Sequence, residues 1–355
     1  MRLALMGIPL SGVKTIYSAI SGHAESGGGF RPSSALNRLS VLKVPDQRLD
    51  LLTEIFKPKK KVPATVELTE FPGLFGGEKT DPQAVAKARE SDALVIVLRC
   101  FSSDVVPHPK DSIDPRRDLD DIDAEMVLSD LAVAENRLER LSGSVKTKAN
   151  EDDLAEHAVL TQVHEQLEEG RPVRELDLKP EQRKRIRGFG FLTAKPRMLI
   201  LNIGEGQLGE EDRIASPFRE KGWVAEALCG SLEAELAQLE EEERGEFMSD
   251  FGVTELAAPR VLAAAYQALE VRTFYTYGDD ECRAWTIKVG DNAVDAAAKI
   301  HTDLAKGFIR AEVIGWEDFE RHRDIKEVKA AGRFRLEGKD YAVEEGDLII
   351  IRHSG

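Results

Sequence analysis

The chain opens with the sequence MRLALMGIPLSGVKTIYSAI over residues 1–20, and this stretch decides how the rest is interpreted. Residues 3–6 are an apolar run typical of a buried strand, and a glycine-containing turn and a helical stretch follow it. A turn of this kind can bind phosphate, because glycines let backbone N–H groups wrap around the anion at the helix N-terminus. The first turn is therefore the leading candidate for a functional site.

That turn, GIPLSGVKT, misses the phosphate-loop pattern G-x4-G-K-[ST] by one residue. When Gly7 and Gly12 are aligned with the glycines, Val13 stands in the lysine position and Lys14 replaces the Mg²⁺-binding hydroxyl. When Lys14 and Thr15 are aligned instead, both glycines are lost and the backbone is no longer permissive. A bulge at Val13 would let Lys14 and Thr15 recover the lysine and hydroxyl roles. Without that bulge the segment is a plain strand-turn-helix.

Further apolar runs at residues 66–68, 93–98 and 198–201 are separated by stretches of helix length or longer. Short buried runs in this arrangement are typical of a parallel sheet, so the sequence predicts an α/β fold. Ligands of such sheets bind outside the carboxyl ends of the strands. The residues that directly follow each run are therefore candidates for the same site as the first turn.

Two of these strand ends carry suitable side chains. Glu70 and Gly73 follow the run at residues 66–68 as a D-x-x-G element would, with Glu in place of the Asp that fixes the Mg²⁺ shell. Asn202 and Glu205 follow the run at residues 198–201 in the form N-x-x-[DE], whose amide and carboxylate can read the edge of a purine. Each element alone is a weak signal, but their order and their place at strand ends make the set moderately specific.

The remaining sequence predicts two further regions. Residues 119–190 are helical and heavily charged, with apolar positions at three- and four-residue spacing in two arms, which predicts an antiparallel helical hairpin inserted into the α/β domain. Short strands separated by glycines dominate residues 272–355, which predicts a compact β-rich C-terminal domain. The α/β domain is then formed by residues 1–118 and 191–271.

Composition excludes several classes of protein. The chain has 355 residues and a formal net charge of −15, so any contact with a polyanion requires a local basic patch. Its three cysteines are too few and too scattered for a disulfide framework or a zinc site, which favours a reducing cytoplasm. No apolar run approaches the roughly 18 residues that cross a bilayer, so no membrane contact is expected.

On its motifs the chain resembles the YchF/Obg-like ATPases, a family of P-loop nucleoside triphosphatases in the translation-factor-related class. The resemblance covers almost the whole chain. The segments that carry it most strongly are VPDQRLD at residues 44–50, KPKKKVPAT at 57–65, LTAKP at 192–196, EAEL at 233–236, RAWT at 283–286 and HTDLAKGFIRAEV at 301–313.

The resemblance implies a P-loop G domain with a mostly parallel sheet, the inserted hairpin, and a C-terminal TGS domain of the β-grasp type. It also implies ATP preferred over GTP, with Asn202 and Glu205 at the base and Ile203 stacked beside it. Cys229 begins the loop that replaces the family's Ser-Ala-Lys. Leu74 matches the hydrophobic residue that the family carries in place of a catalytic glutamine, which implies slow catalysis.

Several phosphate and metal residues of the family are altered here. Besides Val13, Lys14 and Glu70, the switch threonine is replaced by Ser34. The resulting hypothesis gives Lys14 and Leu74 to catalysis and Thr15, Ser34 and Glu70 to Mg²⁺. The nucleotide residues are then Gly7, Gly12, Val13, Lys14, Thr15, Gly73, Asn202, Ile203, Glu205 and Cys229.

The sequence thus predicts a cytoplasmic, monomeric, nucleotide-binding protein that takes ATP, or GTP, with Mg²⁺ and hydrolyses it weakly or not at all. The expected partner is a ribosome or RNA. The basic candidates for that contact are the lysine run at residues 57–61 and a C-terminal cluster of Lys306, Arg310, Arg333 and Arg335. The alternative is a scaffold that does not hydrolyse nucleotide and docks on ribosome or RNA through the TGS domain and hairpin, with a vestigial nucleotide site.

Overall fold

The structure is a computed structural model that describes residues 1–23, 38–75, 81–148 and 151–354, and the side chains of all of these except 143–148. The strands are β1 (Arg2–Gly7), β2 (Leu39–Lys43), β3 (Lys60–Val62), β4 (Thr65–Pro72), β5 (Ala93–Arg99), β6 (Arg197–Asn202), β7 (Val224–Leu228), β8 (Val271–Thr276), β9 (Glu281–Lys288), β10 (Phe308–Ile314), β11 (Arg335–Glu337) and β12 (Leu348–His353). The helices are α1 (Val13–Ser21), α2 (Gln47–Phe56), α3 (Pro82–Ala88), α4 (Pro115–Lys148), α5 (Glu151–Glu168), α6 (Pro180–Ile186), α7 (Glu211–Arg219), α8 (Gly230–Leu236), α9 (Glu241–Asp250), α10 (Ala257–Ala268), α11 (Ala293–Ile300), α12 (Thr302–Lys306), α13 (Trp316–His322) and α14 (Ile325–Ala330).

The chain divides into two units. The larger unit contains residues 2–40 and 67–268, and the C-terminal unit contains Met1 with residues 41–66 and 269–355. No helix in the described part of the chain is long and apolar enough to cross a membrane.

The larger unit is built on a six-stranded sheet in the order β2-β4-β1-β5-β6-β7. β1 pairs in parallel with β4 and β5, β5 with β6, and β6 with β7. Every residue of β5 and β6 is buried, as expected for parallel strands that are covered on both faces. The predicted α/β class with a mostly parallel sheet is confirmed. The chain adds β2 and β4 on one side of the central strand β1 and then crosses to add β5 on the other side. In open α/β sheets the ligand crevice lies where the strand order reverses in this way.

The charged region between β5 and β6 contains the two long helices of the predicted hairpin. Their apolar side chains, among them Val127 and Leu141 of α4 and Val159 and Leu167 of α5, form one buried cluster. Asp130 of α4 is fully buried and joins this helix to the segment before β6. Its carboxylate accepts hydrogen bonds from the backbone N–H groups of Leu192 (3.0 Å) and Thr193 (2.7 Å) and forms an ion pair with Arg89.

The C-terminal unit has a second sheet in the order β11-β10-β12-β8-β9-β3. The structure differs here from the boundaries drawn on the sequence, because residues 41–66 belong to this unit. β3 pairs in parallel with β9, and α2 contributes Leu49 and Leu52 to a core that also contains Tyr275. The Tyr275 hydroxyl donates a 2.8 Å hydrogen bond to Asp46 at the start of α2. These partners lie more than 200 residues apart in the chain, so no local pattern reveals them.

Candidate functional site

The first turn connects β1 to α1 at the carboxyl edge of the larger sheet. Gly12 precedes the helix with φ 92°, in the left-handed region that favours glycine. A Cβ atom at Gly12 would lie 2.1 Å from Nδ2 of Asn202, so the position requires glycine on contact grounds as well. The helix that follows has nine residues, and the N–H groups of its first turn have no partners within the helix.

Asn202 lies at the end of β6 and holds two neighbouring turns in place. Its side chain is only 4% exposed. Nδ2 donates a 3.0 Å hydrogen bond to the carbonyl of Ser11, and Oδ1 accepts a 3.1 Å hydrogen bond from the N–H of Gly230. The side chain that the sequence assigns to base recognition therefore also connects the first turn to the turn before α8. An amide has a second N–H and a second lone pair, so these two bonds leave it capacity for a ligand.

Val13 occupies the inside of the first turn. It is the first residue of α1 and is only 3% exposed. Its side chain lies against Gly7, because a Cβ atom added to Gly7 would be 3.2 Å from Val13 Cγ2. Because the helix begins at Val13 itself, the bulge that would have moved Lys14 and Thr15 into the lysine and hydroxyl positions is not formed. Lys14 is exposed and Thr15 is half-buried.

The Glu70–Gly73 segment adjoins the first turn. Glu70 pairs with Leu5 in the β1–β4 ladder. Gly73 has φ 66° and lies close to Pro9 of the first turn, because a Cβ atom added to Gly73 would be 3.4 Å from Pro9 Cγ. The Glu70 carboxylate is buried and both of its oxygens are bound by Arg38, at 2.5 Å to Nε and 3.0 Å to Nη2. The carboxylate expected in the metal shell is thus already paired with a cation of the protein.

Two predicted site residues lie instead in the hydrophobic core. Leu74 and Ile203 belong to one buried cluster under the sheet, and Ile203 is only 1% exposed. Packing in this cluster accounts for the position of both side chains, and the stacking of Ile203 beside a base stays a prediction. The assignment of Leu74 to the position of a catalytic glutamine likewise stays a prediction. Cys229 is also buried, with Sγ 3.3 Å from Oγ of Ser231, whereas Glu205 is exposed in a short helical turn after β6.

The described residues do not fit a Mg²⁺ ion at this site. Glu70 is committed to Arg38, and an exposed lysine stands where the metal-binding hydroxyl is expected. Nowhere in the described residues do three or more His, Cys, Asp or Glu side chains form a group that could hold a metal. Ser34, the third predicted metal residue, lies outside the described residues.

Arg99 is a residue of this region that the sequence reasoning missed. Its side chain is buried at the end of β5, and its guanidinium donates to the carbonyls of Phe101 (3.1 Å), Val106 (2.6 Å) and, more weakly, Leu10 (3.4 Å). It thereby connects the first turn to the segment after β5. The signal in the sequence was a charged residue that directly continues the apolar run at residues 93–98.

His108 was also missed. It is buried, and its Nε2 lies 3.0 Å from Oδ2 of Asp118, while its Nδ1 accepts a 3.1 Å hydrogen bond from the N–H of Lys110. Since Nδ1 accepts, Nε2 carries the proton and donates to the carboxylate. No spacing rule in the sequence indicates this contact.

The basic segments proposed for RNA are largely paired with acidic residues of their own unit. In the lysine run, Lys59 lies 2.7 Å from Asp280, Lys60 lies 3.8 Å from Glu281, and Lys61 is paired with Asp50. In the C-terminal cluster, ion pairs join Lys306 to Asp303, Arg333 to Asp318, and Arg335 to Glu337 and Asp347.

The aromatic residues near this cluster do not form an exposed platform. Phe308 is buried, and Phe334 and Tyr341 pack against the cores of the unit. His301 accepts a 3.2 Å hydrogen bond from the N–H of Asp303 at the start of α12, so its side chain caps this helix.

A central parallel strand followed by a glycine turn and a helix, with an asparagine at the end of β6 bonded to that turn, defines the class of P-loop G domains. Comparison with known proteins narrows that class. A family model described as YchF-GTPase_C, protein of unknown function (DUF933), matches residues 271–354. The chain is 36% identical to the "Ribosome-binding ATPase YchF" of Pasteurella multocida, over 99% of this chain and 98% of that protein.

Other relatives agree. The chain is 37% identical to the protein of the same name from Escherichia coli O157:H7, over 98% of both chains. A solved structure described as the Schizosaccharomyces pombe YchF GTPase superposes with a TM-score of 0.80 at 28% identity, over 99% of this chain and 97% of that one. The chain belongs to the YchF family.

Proposed function

We propose that this protein binds a nucleotide at the first turn, prefers ATP over GTP, associates with the ribosome, and hydrolyses the nucleotide weakly or not at all. Its relatives carry the name ribosome-binding ATPase and are similar over nearly the whole chain. Among the contacts of the site, the observation that carries the proposal is the hydrogen bond from Asn202 to Ser11, which fixes the first turn beside the end of β6.

The preference for ATP rests on Asn202 and Glu205. Adenine presents a ring nitrogen that accepts and an amino group that donates, and a side-chain amide with one free donor and one free lone pair can satisfy both. Glu205 is exposed after the same strand and is free of the core, so its carboxylate can turn toward the base. Ile203 is buried, so stacking beside the base would require its side chain to become accessible when nucleotide binds.

Weak hydrolysis follows from the groups that surround the phosphate position. Phosphoryl transfer depends almost entirely on positioning and on charge stabilisation of the transferred group. Here a buried valine replaces the lysine, and the carboxylate of Glu70 is bound to Arg38. Loss of such groups costs roughly 10²–10³ in rate for each one.

Isothermal titration with ATP, ADP and GTP, paired with a phosphate-release assay, tests the proposal. We expect binding of ATP and ADP, weaker binding of GTP, and phosphate release close to a control without protein. Equal affinity for GTP would refute the base preference, and absence of heat at millimolar nucleotide would refute the site itself.

A second candidate function is a scaffold that binds the ribosome through surfaces other than a working nucleotide site. The observation in its favour is Val13, whose side chain fills the turn where the phosphate-binding lysine is expected. Co-sedimentation with ribosomes separates the two candidates. Sedimentation that is the same with ATP, ADP and no nucleotide favours the scaffold, whereas dependence on nucleotide favours the first proposal.

A further inference from the structure

The ion pair between Arg38 and Glu70 stands where a G domain normally holds its metal. Glu70 takes the place of the aspartate that fixes the Mg²⁺ shell, and it lies in register with Leu5 near the end of β1. A metal shell needs carboxylate oxygens that can accept from metal-bound water. Both oxygens of Glu70 instead accept from the guanidinium of Arg38, in the two-bond geometry that is strongest for an arginine and a carboxylate.

Arg38 is held in this position by more than the carboxylate. Its backbone carbonyl accepts a 3.1 Å hydrogen bond from the N–H of Glu70, so the two residues are joined through both side chain and backbone. Its guanidinium lies over the ring of Tyr17 of α1, 4.6 Å from the centroid. The Tyr17 hydroxyl in turn lies 2.6 Å from Oγ of Ser40. The guanidinium is therefore a fixed part of the site.

We propose that the guanidinium of Arg38 is a built-in cation that replaces the divalent metal at this site. It neutralises the buried Glu70 carboxylate, and its positive charge opposes entry of a dication beside it. Two consequences follow. The nucleotide site works without Mg²⁺, and residues 38–40 stay attached to β4 whether or not a nucleotide is present.

The neighbouring changes in the sequence are consistent with this substitution. Lys14 replaces the hydroxyl that would be the second protein ligand of the metal, and its side chain is exposed. The lengthened acid and the lost hydroxyl, together with the arginine paired with that acid, all act against a divalent ion at this site. The inference rests on the proposed function only where it concerns the nucleotide, because the metal can be tested alone.

The test uses Mn²⁺, detected by proton relaxation of water, as the probe on the full chain. We expect no bound Mn²⁺ up to about 1 mM, the weak end of protein divalent-cation sites, with or without ADP. Binding in the wild type that is abolished by Glu70→Gln would overturn the proposal. In Arg38→Ala the freed carboxylate is expected to bind Mn²⁺ in the high micromolar to millimolar range. Failure of a folded Arg38→Ala to bind would contradict the role of the guanidinium.

Because Arg38→Ala leaves a buried carboxylate unpaired and can fail to fold, Arg38→Lys provides a second variant. Lysine keeps the charge but cannot make the two-bond contact, so we expect weak Mn²⁺ binding between that of wild type and Arg38→Ala. A third measurement compares ATP affinity in Mg²⁺ and in EDTA. We expect values within about twofold, and a loss of tenfold or more in EDTA contradicts the proposal. Absence of ATP binding in both buffers refutes the proposed function, and the Mn²⁺ titration then still decides on the metal.

Discussion

At the scale of single residues, the first turn keeps the glycine conformation of a phosphate loop but carries side chains that depart from the phosphate-loop pattern. Gly12 keeps the left-handed conformation that begins α1, and Leu10 adopts φ 64° although it carries a side chain. A non-glycine residue with positive φ is strained, asparagine being better tolerated there than leucine. The Leu10 side chain is exposed, so little packing offsets this strain.

We therefore predict that Leu10→Asn raises the free energy of unfolding by about 0.5–1 kcal/mol, because asparagine adopts this conformation more readily. Chemical denaturation measures the change. Leu10→Ala is the matched control, since alanine also carries a Cβ but lacks the local hydrogen bonds of asparagine, and it is expected to bring no gain. Equal stabilisation by both variants would attribute the effect to loss of an exposed apolar side chain.

A second prediction concerns Val13 and Lys14. The double variant Val13→Lys with Lys14→Ser restores the sequence G-x4-G-K-S and is expected to raise ATP affinity by about tenfold or more, because a lysine then reaches the phosphates. It is also expected to lower stability without nucleotide by about 1–3 kcal/mol, since the buried valine is lost. Titration calorimetry and denaturation give the two values. Lys14→Ser alone is the control, and a similar gain in affinity there would show that the valine is not the obstacle.

At the scale of elements, buried carboxylates join helices to the rest of the larger unit. Asp130 fixes α4 to the segment before β6, as described above. Glu233 of α8 is buried and accepts a 2.9 Å hydrogen bond from the N–H of Ala257, the first residue of α10. Both side chains connect elements that no local sequence pattern pairs.

For Asp130 we predict that replacement by alanine lowers the free energy of unfolding by about 3–5 kcal/mol, because Arg89 and two backbone N–H groups lose their partner. Asp120→Ala, at an exposed position of the same helix, is the control and is expected to change stability by less than about 0.5 kcal/mol. Urea denaturation followed by circular dichroism measures both. A small effect at Asp130 would show that the hairpin is held by its apolar cluster alone.

For Glu233 the prediction concerns pH. Burial raises the pKa of its carboxyl above the usual value, although the Ala257 N–H and Arg260 act in the other direction. An acid with a raised pKa in the folded state binds its proton more tightly when folded. Its contribution to stability is therefore complete below the unfolded pKa of about 4.3 and is lost as pH rises through the raised value.

Glutamine does not titrate, so Glu233→Gln is expected to remove this loss of stability with rising pH. The free energy of unfolding of the variant should therefore depend less on pH above about 4.3 than that of the wild type. Denaturation at a series of pH values from weakly acidic to neutral gives the comparison. Glu235→Gln, on the exposed side of α8, should retain the pH dependence of the wild type. Parallel curves for the wild type and Glu233→Gln would contradict a raised pKa at this position.

At the scale of the whole molecule, the net charge of −15 makes the placement of positive charge important for an RNA-containing partner. The lysine run contributes less than its sequence suggests, because Lys59, Lys60 and Lys61 each lie beside an acidic residue. Arg310 is exposed on β10 and belongs to the other predicted cluster.

We predict that replacing Lys59 and Lys60 by glutamine changes the salt dependence of ribosome co-sedimentation little, because each lysine already neutralises an acid. Replacing Arg310 by glutamine should lower the slope of log affinity against log salt by about 0.7–0.9 if Arg310 binds a phosphate. Sedimentation over a series of KCl concentrations gives these slopes. A larger change in the slope for the lysine pair than for Arg310 would show that the lysine run, and not Arg310, contacts the ribosome.

The sequence by itself was sufficient for the α/β class, the inserted hairpin and the family, because buried strands, helical periodicity and long motifs are local properties of the chain. It also located the first turn and its altered lysine, hydroxyl and aspartate positions. Tertiary structure alone decided which contacts those residues make. The pairing of Arg38 with Glu70, the burial of Ile203 and Leu74, and the addition of residues 41–66 to the C-terminal unit all depend on contacts between distant parts of the chain. Side-chain orientation and partner choice are set by packing between elements, and the order of residues along the chain does not record them.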